Sequence, residues 1–190
     1  MKKLGNSVII LLGIVLVAVL IAYLLPQKMH VERSISMKSS VDFAFDKVNV
    51  LENWKEWSPW HKLDSAIKIN FEGKSGKGAS FNWSSTNKNV GSGNILITEC
   101  KKNEFLSLDM DLGEYGKASS YFRFETRADS LKVSWGFDSD LGKNPFRRYF
   151  GGRFRKSITE NYIIGLTALK DICENQSAKI LEMKRIIPEK

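Results

Sequence analysis

The spacing of apolar and polar residues divides the chain into regions with different periods. Val8 to Leu25 (VIILLGIVLVAVLIAYLL) is an uninterrupted apolar run, and no charge falls between Lys3 and Lys28. A helix of about 20 apolar residues matches the roughly 30 Å hydrocarbon core of a bilayer. In lipid such a helix satisfies its backbone groups internally. The run therefore reads as a transmembrane helix closed by Pro26. Two other readings compete. A cleaved signal peptide has an apolar stretch of about 7–15 residues and small residues before the cut, whereas Tyr23-Leu24-Leu25 stands before Pro26. A buried core helix is rarely apolar on every face over this length.

Residues 29–37 alternate in places and predict a first strand. Ser39-Ser40-Val41-Asp42 has the form of a helix start, with a Ser cap and an acid in the first turn. Phe43, Ala44, Val48 and Leu51 follow at near-helical spacing, and Asn53 to Trp57 predicts a further short helical turn before Pro59. The period then becomes two. Ile67, Ile69 and Phe71 alternate with polar residues, and so do Ala79, Phe81 and Trp83 beyond the turn at Gly73, Gly76 and Gly78. Ile95 and Ile97 mark another strand. Leu106, Leu108 and Met110 mark the next, then Ser120, Phe122 and Phe124, then Leu131, Val133, Trp135 and Phe137. This succession predicts an antiparallel sheet with one dry and one wet face. Ile158, Tyr162, Leu166, Leu169 and Ile172/Cys173 form one apolar stripe and predict a closing amphipathic helix. The residues after Glu174 are polar and basic, and are expected to be loosely ordered apart from Ile180-Leu181.

The expected fold is α+β: a curved antiparallel β-sheet wrapped around a long C-terminal α-helix, preceded by one transmembrane helix. The expected divisions are an anchor at 1–27, a globular domain at 28–176 and a basic tail at 177–190. A helix lying in a strongly bent sheet need not fill it, and the gap becomes an apolar pocket. Its wall is expected from Phe81, Trp83, Leu108, Met110, Phe122, Trp135 and Tyr162. Trp57 and Trp60 are candidates for the rim, although Trp54, Trp57 and Trp60 also suit plain core packing.

Several segments agree in order with one family. VERSISMKSSVDFAFDKVNVLENWKEWSPW, FEGKSGKGASFNW and DLGKNPFRRYFGG resemble the opening strand and tryptophan turn, the Gly-rich hairpin and the pre-helix segment of the SRPBCC superfamily. Within that START-related, helix-grip group, the chain is most similar to the polyketide cyclase/dehydrase-like proteins. The resemblance covers nearly the whole chain. It implies a ligand pocket between sheet and long helix. It does not imply cyclase chemistry, because the superfamily includes lipid carriers, hormone and allergen-type binders, aromatase/cyclases and oxygenase subunits.

Charge and candidate chemistry narrow the reading. The net charge is +8. The cations are scattered, with a denser patch at Arg147, Arg148, Arg153, Arg155 and Lys156 and a basic tail at Lys179, Lys184, Arg185 and Lys190. Nucleic-acid binders concentrate such residues on one element, so no nucleic-acid partner is expected. Anionic lipid head groups beside the anchor, or a simple solvated face, account for the excess. Lys2 and Lys3 favour a cytoplasmic N-terminus, which places the domain on the periplasmic or outer face of a single-pass membrane protein. Cys100 and Cys173 sit in no metal spacing and read as free thiols, although an oxidising compartment would allow them to pair.

His30 and His61 are the only histidines. Neither has a second ligand at metal spacing, so neither metal nor cofactor is expected. His61 follows the tryptophan turn and is the better candidate for a functional group, against a solvated or locally bonded role. Asp109, Asp111 and Glu114 form one acidic cluster and Asp138 and Asp140 another, a form that also suits exposed strand ends. No catalytic constellation emerges. The expected function is a membrane-anchored, non-enzymatic protein that holds a small hydrophobic or lipid-like molecule. The alternative is a cyclase/dehydratase-like or hydrolase-like enzyme that acts on a hydrophobic substrate in the same pocket through His61, Asp109 or Asp138. The oligomeric state is not legible.

Overall fold

The computed structural model describes residues 2–113, 116–142 and 144–186, with α1 side chains described from Ile9 onward. Glu114 and Lys190 lie outside the described residues, as does the side chain of Lys184.

The alternating segments form a seven-stranded antiparallel sheet in the order β1-β7-β6-β5-β4-β3-β2. Its strands are β1 (Lys28–Met37), β2 (Lys68–Glu72), β3 (Ser80–Ser84), β4 (Ser92–Lys101), β5 (Phe105–Asp111), β6 (Lys117–Arg127) and β7 (Ser130–Asp140). The dry face carries Ile95, Ile97, Leu106, Leu108, Phe122, Phe124, Leu131, Val133, Trp135 and Phe137, all buried. Burial of each large apolar side chain contributes about 1.5–3 kcal/mol. In β4 the register shifts between Ile97 and Glu99, so that Cys100 pairs with Leu106. This bulge restores Cys100 to the face of Ile95 and Ile97, which strict alternation would have reversed.

Ser40 caps α2 (Val41–Asn49), its hydroxyl accepting from the Phe43 N–H, and α2 buries Ala44, Phe45 and Val48. A single 3-10 turn follows at Leu51–Asn53, then α3 (Trp54–Trp57) and α4 (Pro59–Leu63). The last carbonyls of a helix lack partners within it. Two of these in α2 accept indole N–H groups: Val48 from Trp54 at 2.8 Å and Lys47 from Trp57 at 2.9 Å. The tryptophan turn thus closes α2 and turns its rings toward the sheet.

The long helix α5 (Pro145–Ile186) has 42 residues. Its predicted stripe is buried: Ile158, Tyr162, Leu166, Leu169 and Cys173. Gly165 lets it approach closely, because a Cβ there would stand 2.9 Å from the Trp135 ring and 3.2 Å from Pro59. The helix is longer than the stripe at both ends. It begins at Pro145, where Leu141 nests against Gly151. It also continues without a break through 177–186, so the expected loose tail is helical to Ile186.

Helix α1 (Lys2–Leu24) precedes the sheet directly. Arg148 is buried and donates to the carbonyls of Gly142 and Tyr23, both at 2.9 Å. A guanidinium at the C-terminal carbonyls of a helix complements the helix dipole. Arg148 therefore clamps α1 to α5 and does not belong to a solvated basic face. Among the described residues no helix is long and apolar enough to cross a membrane. The expected transmembrane helix is thus not found there, although the described apolar side chains from Ile9 to Leu24 lie largely exposed.

Candidate functional site

Between the sheet, α3–α4 and the first half of α5 lies a partly enclosed cavity of about 930 Å³. Its walls are largely aromatic. Trp60 comes from α4, Phe81 and Trp83 from β3, Trp135 from β7 and Tyr162 from α5. Trp83 lies across Gly93, its partner in β4, where a Cβ would come within 2.4 Å of the ring. Only glycine lets the indole lie against the strand and leave space above it. The mouth is bordered by the β3–β4 connection and by Ser157 and Asn161 of α5. Trp83 donates its indole N–H to the Val90 carbonyl at 3.2 Å, and the Asn87 amide donates to Leu63 at 3.1 Å, which ties that connection to the wall.

Of the residues expected to form the wall, Trp60, Phe81, Trp83, Met110, Trp135 and Tyr162 line the cavity. Trp57, Leu108 and Phe122 do not. They are fully buried one layer behind it, where Trp57 packs on Trp135 and Phe122 at centroid distances of 5.3 and 6.0 Å. Their place on the dry face is as expected, but the space in front of them is filled by other rings.

The polar groups of the wall are few. Ser120 stands at a dry-face position of β6, out of character with its neighbours Phe122 and Phe124, and this is the signal that marks it in the sequence. Its hydroxyl donates to the Gly136 carbonyl at 2.7 Å and accepts from the Trp135 indole at 3.0 Å. The Tyr162 hydroxyl lies 3.1 Å from the same oxygen. Burial pushes the Tyr162 phenol far above its ordinary pKa, so it stays protonated. Trp135 and Tyr162 stack face to face at 3.8 Å.

His61 also borders the cavity. Both ring nitrogens are buried and have no hydrogen-bond partner among the described residues, while the residue as a whole is half-buried. Burial lowers its pKa, and the nearby Lys55 ammonium lowers it further, so the ring is neutral at pH 7.

The acidic candidates lie elsewhere. Asp109, Asp111, Asp138 and Asp140 share a groove with His30, Lys28 and Lys117, and none of them lines the cavity. His30 Nδ1 is bonded to the Asp138 carboxylate at 2.7 Å. Asp109 and Asp138 therefore cannot serve chemistry in the cavity. Among the described residues no group of His, Cys, Asp or Glu has the geometry of a metal site. Cys100 and Cys173 are free thiols. Burial raises both, Cys173 to about 11.

No family model matches the chain, and no curated protein matches it. Solved structures do match. The Aha1 dimer from Colwellia psychrerythraea superposes with a TM-score of 0.56 at 15% identity, over 77% of this chain and 96% of that one. The di-domain ARO/CYC StfQ from the steffimycin biosynthetic pathway gives 0.62 at 13% identity and 80% coverage; the chain spans about half of it, 52%. Ara h 8.0201 gives 0.52 at 14% identity, over 77% of this chain and 97% of that one. Likeness at such identities concerns the fold. The chain has the helix-grip fold in its α+β form: an antiparallel sheet gripping a long C-terminal helix.

Proposed function

We propose that this protein is a non-enzymatic, membrane-tethered binder of a small hydrophobic or lipid-like molecule, held in the cavity under α5. The cavity itself carries the proposal: about 930 Å³ walled by Trp60, Phe81, Trp83, Met110, Trp135 and Tyr162. Native interiors are packed nearly without voids, and an apolar pocket of several hundred cubic ångströms is the common form of a small-molecule site. The folds of the ARO/CYC protein and of Ara h 8.0201 are compatible with this role.

The tether reading rests on the whole sequence of α1. Its uninterrupted apolar run, Val8 to Leu25, has about the length that a hydrocarbon core asks of a helix, with no charge between Lys3 and Lys28. Leu11, Leu16 and Leu20 are each more than half exposed, an arrangement suited to lipid and costly in water. In this proposal residues 1–27 anchor the chain, the N-terminus is cytoplasmic, and the domain from residue 28 stands on the periplasmic or outer face. The anchor would hold the cavity where apolar molecules partition. An enzyme in the same cavity would have to rely on His61, since Asp109 and Asp138 lie outside it.

The test uses the full chain reconstituted in lipid nanodiscs. Organic extracts are analysed by mass spectrometry against empty nanodiscs, and an apolar fluorophore is titrated. A co-purifying molecule or saturable uptake supports the proposal. Absence of both overturns it. Recovery of the full-length product in the soluble fraction, without detergent, would overturn the tether.

A further inference from the structure

We infer that the first turns of α5 lie on the anionic surface of the membrane that holds α1, and that the cavity opens toward that surface. The inference rests on the tether proposed above. It goes on to name the face that meets lipid and the side from which the cavity is reached.

The strand ends carry the first part of the argument. β1 begins at Lys28, opposite Asp140 at the end of β7. β5 ends at Asp111, which lies opposite Lys117 at the start of β6 and Asn94 near the start of β4. Ser92, the first residue of β4, pairs with Ser84 at the end of β3. The β3–β4 connection, Leu112 and Gly113, and Leu141 and Gly142 therefore all stand at the end of the sheet where the chain leaves α1. The cavity mouth is built at that same end, by Lys88, Asn89, Leu112 and Gly113 with Ser157 and Asn161 of α5.

Only Leu25, Pro26 and Gln27 separate α1 from β1, a reach of no more than about 14 Å. Two bonds fix the junction: the Leu141 N–H donates to the Gln27 carbonyl at 2.8 Å, and Arg148 donates to the Tyr23 carbonyl at 2.9 Å. The domain cannot swing far from a membrane that α1 crosses, and its mouth end is the near end.

The side chains at this level suit that place. Beside Arg148, Tyr149 is 62% and Phe150 53% exposed. Aromatic rings collect at the head-group level of a bilayer. Tyr149, Arg153 and Lys156 recur at four- and three-residue steps and share the outer face of α5. At 1.5 Å per residue the two cations stand roughly 6 and 10 Å along the helix from Tyr149. Both are exposed, and Lys156 makes only a 3.9 Å contact with Glu160. No acidic residue falls between Asp140 and Glu160, so nothing in these turns opposes attraction to anionic lipid. Phe150, Phe154, Ser157 and Asn161 follow on the adjoining flank at helical spacing, so the flank that starts at the lipid leads to the mouth. The carboxylates at this end, Asp111, Asp138 and Asp140, lie on the other face of the sheet, in the groove with Lys28, Lys117 and His30. The two faces thus tilt the α5 side toward an anionic bilayer. An apolar molecule passes between bilayer and cavity along this flank without crossing bulk water.

The experiment uses three single variants of the full chain: Phe150→p-benzoylphenylalanine, and the same photoreactive replacement of Asn89 beside the mouth or of Asp129 in the β6–β7 turn at the opposite end. Each is reconstituted in nanodiscs of phosphatidylcholine, alone or with about one third phosphatidylglycerol as the anionic component. After irradiation, lipid adducts are read by intact mass and chain-to-chain adducts by gel. We expect lipid adducts at 150 and 89 several-fold above those at 129, and more in the anionic discs than in the neutral ones. Arg153→Gln and Lys156→Gln should each lower the ratio of docked to free domain about fivefold, and the yield at 150 with it. A yield at 150 no higher than at 129, or equal yields in the two kinds of disc, overturns the inference. Adducts at 150 without adducts at 89 overturn the orientation of the mouth. A cross-linked pair of chains at 150 overturns the lipid contact, because a second copy then covers this face. Tryptophan emission like that of the parent shows that each variant is folded, and Tyr149→p-benzoylphenylalanine takes the place of a Phe150 variant that is not. A chain that leaves the discs overturns the tether and this inference together. A chain that stays in the disc without an adduct at 150 overturns the inference alone.

Discussion

Replacing Ser120 by alanine tests how the cavity wall is held together. Ser120 is buried and its hydroxyl joins β6 to β7 and to α5. The substitution removes the acceptor of the Trp135 indole and of the Tyr162 hydroxyl, and the donor to Gly136. Each buried donor left without a partner costs about 1–3 kcal/mol. Two such donors set the expected loss for Ser120→Ala at about 2–6 kcal/mol, a large share of a typical folding free energy of about 5–15 kcal/mol. Tyr162→Phe is milder, because Ser120 keeps its bonds to Gly136 and Trp135. It should cost about 0.5–1.5 kcal/mol, the net worth of one hydrogen bond. The informative quantity is the double variant. Once Ser120 is gone, the Tyr162 hydroxyl is an orphan, so deleting it should restore about 1 kcal/mol and not remove more. The assay is urea unfolding of the full chain in detergent, followed by tryptophan fluorescence, for the single and double variants. Additivity within about 0.5 kcal/mol would refute the assigned network, as would a Ser120→Ala variant as stable as the parent.

Gly136 faces Tyr121 across β6–β7, and a Cβ there would come within 2.2 Å of the tyrosine ring; Gly136→Ala should therefore destabilise by about 1–3 kcal/mol. Tyr121→Ala in that background should recover part of the loss, measured by the same unfolding assay, although it gives up the Tyr121 hydrogen bond to Glu32. His61 should titrate below 6.5 in an NMR pH series. Its folded pKa lies below the unfolded value, so the unfolded state takes up the proton first, and stability should fall as pH drops below about 6.5. The His61→Phe variant should lack that part of the pH dependence, and an unchanged profile would refute it.

Most of the sheet was legible because alternation is a direct imprint of burial on one face. Ile95, Leu106, Leu108, Phe122, Val133 and Trp135 all face the core as their parity requires. Ser40 was legible as a cap for the same local reason, its side chain serving a backbone N–H three residues on. The first turns of α5 were not. Residues 145–157 include Gly151 and Gly152, two poor helix formers, although Phe146, Phe150 and Phe154 continue the four-residue spacing back from Ile158. Tertiary contacts also hold this segment, Leu141 against Gly151 and Arg148 at the end of α1. The distinction between cavity wall and packed layer was equally hidden. Parity placed Trp57, Leu108 and Phe122 on the inner side, but which inner residues meet open space depends on how far α4 and α5 stand off the sheet. The space before Gly93, and the two unpaired nitrogens of His61, belong to this class of fact, set by distances between elements far apart in sequence.

The strand order has a consequence for the way the chain comes together. From β2 to β7 every strand pairs with its immediate successor, so this part grows by short hairpins. β1 does not: it pairs only with β7, Lys28 opposite Asp140 and Met37 opposite Leu131. Closing a loop of about a hundred residues costs roughly 2 kcal/mol more in chain entropy than closing one of about ten. The strand synthesised first is thus the one that must wait longest for its neighbour. Until residues 131–140 leave the ribosome, β1 has no place to dock, and shortened chains ending before Leu131 should expose its edge to aggregation.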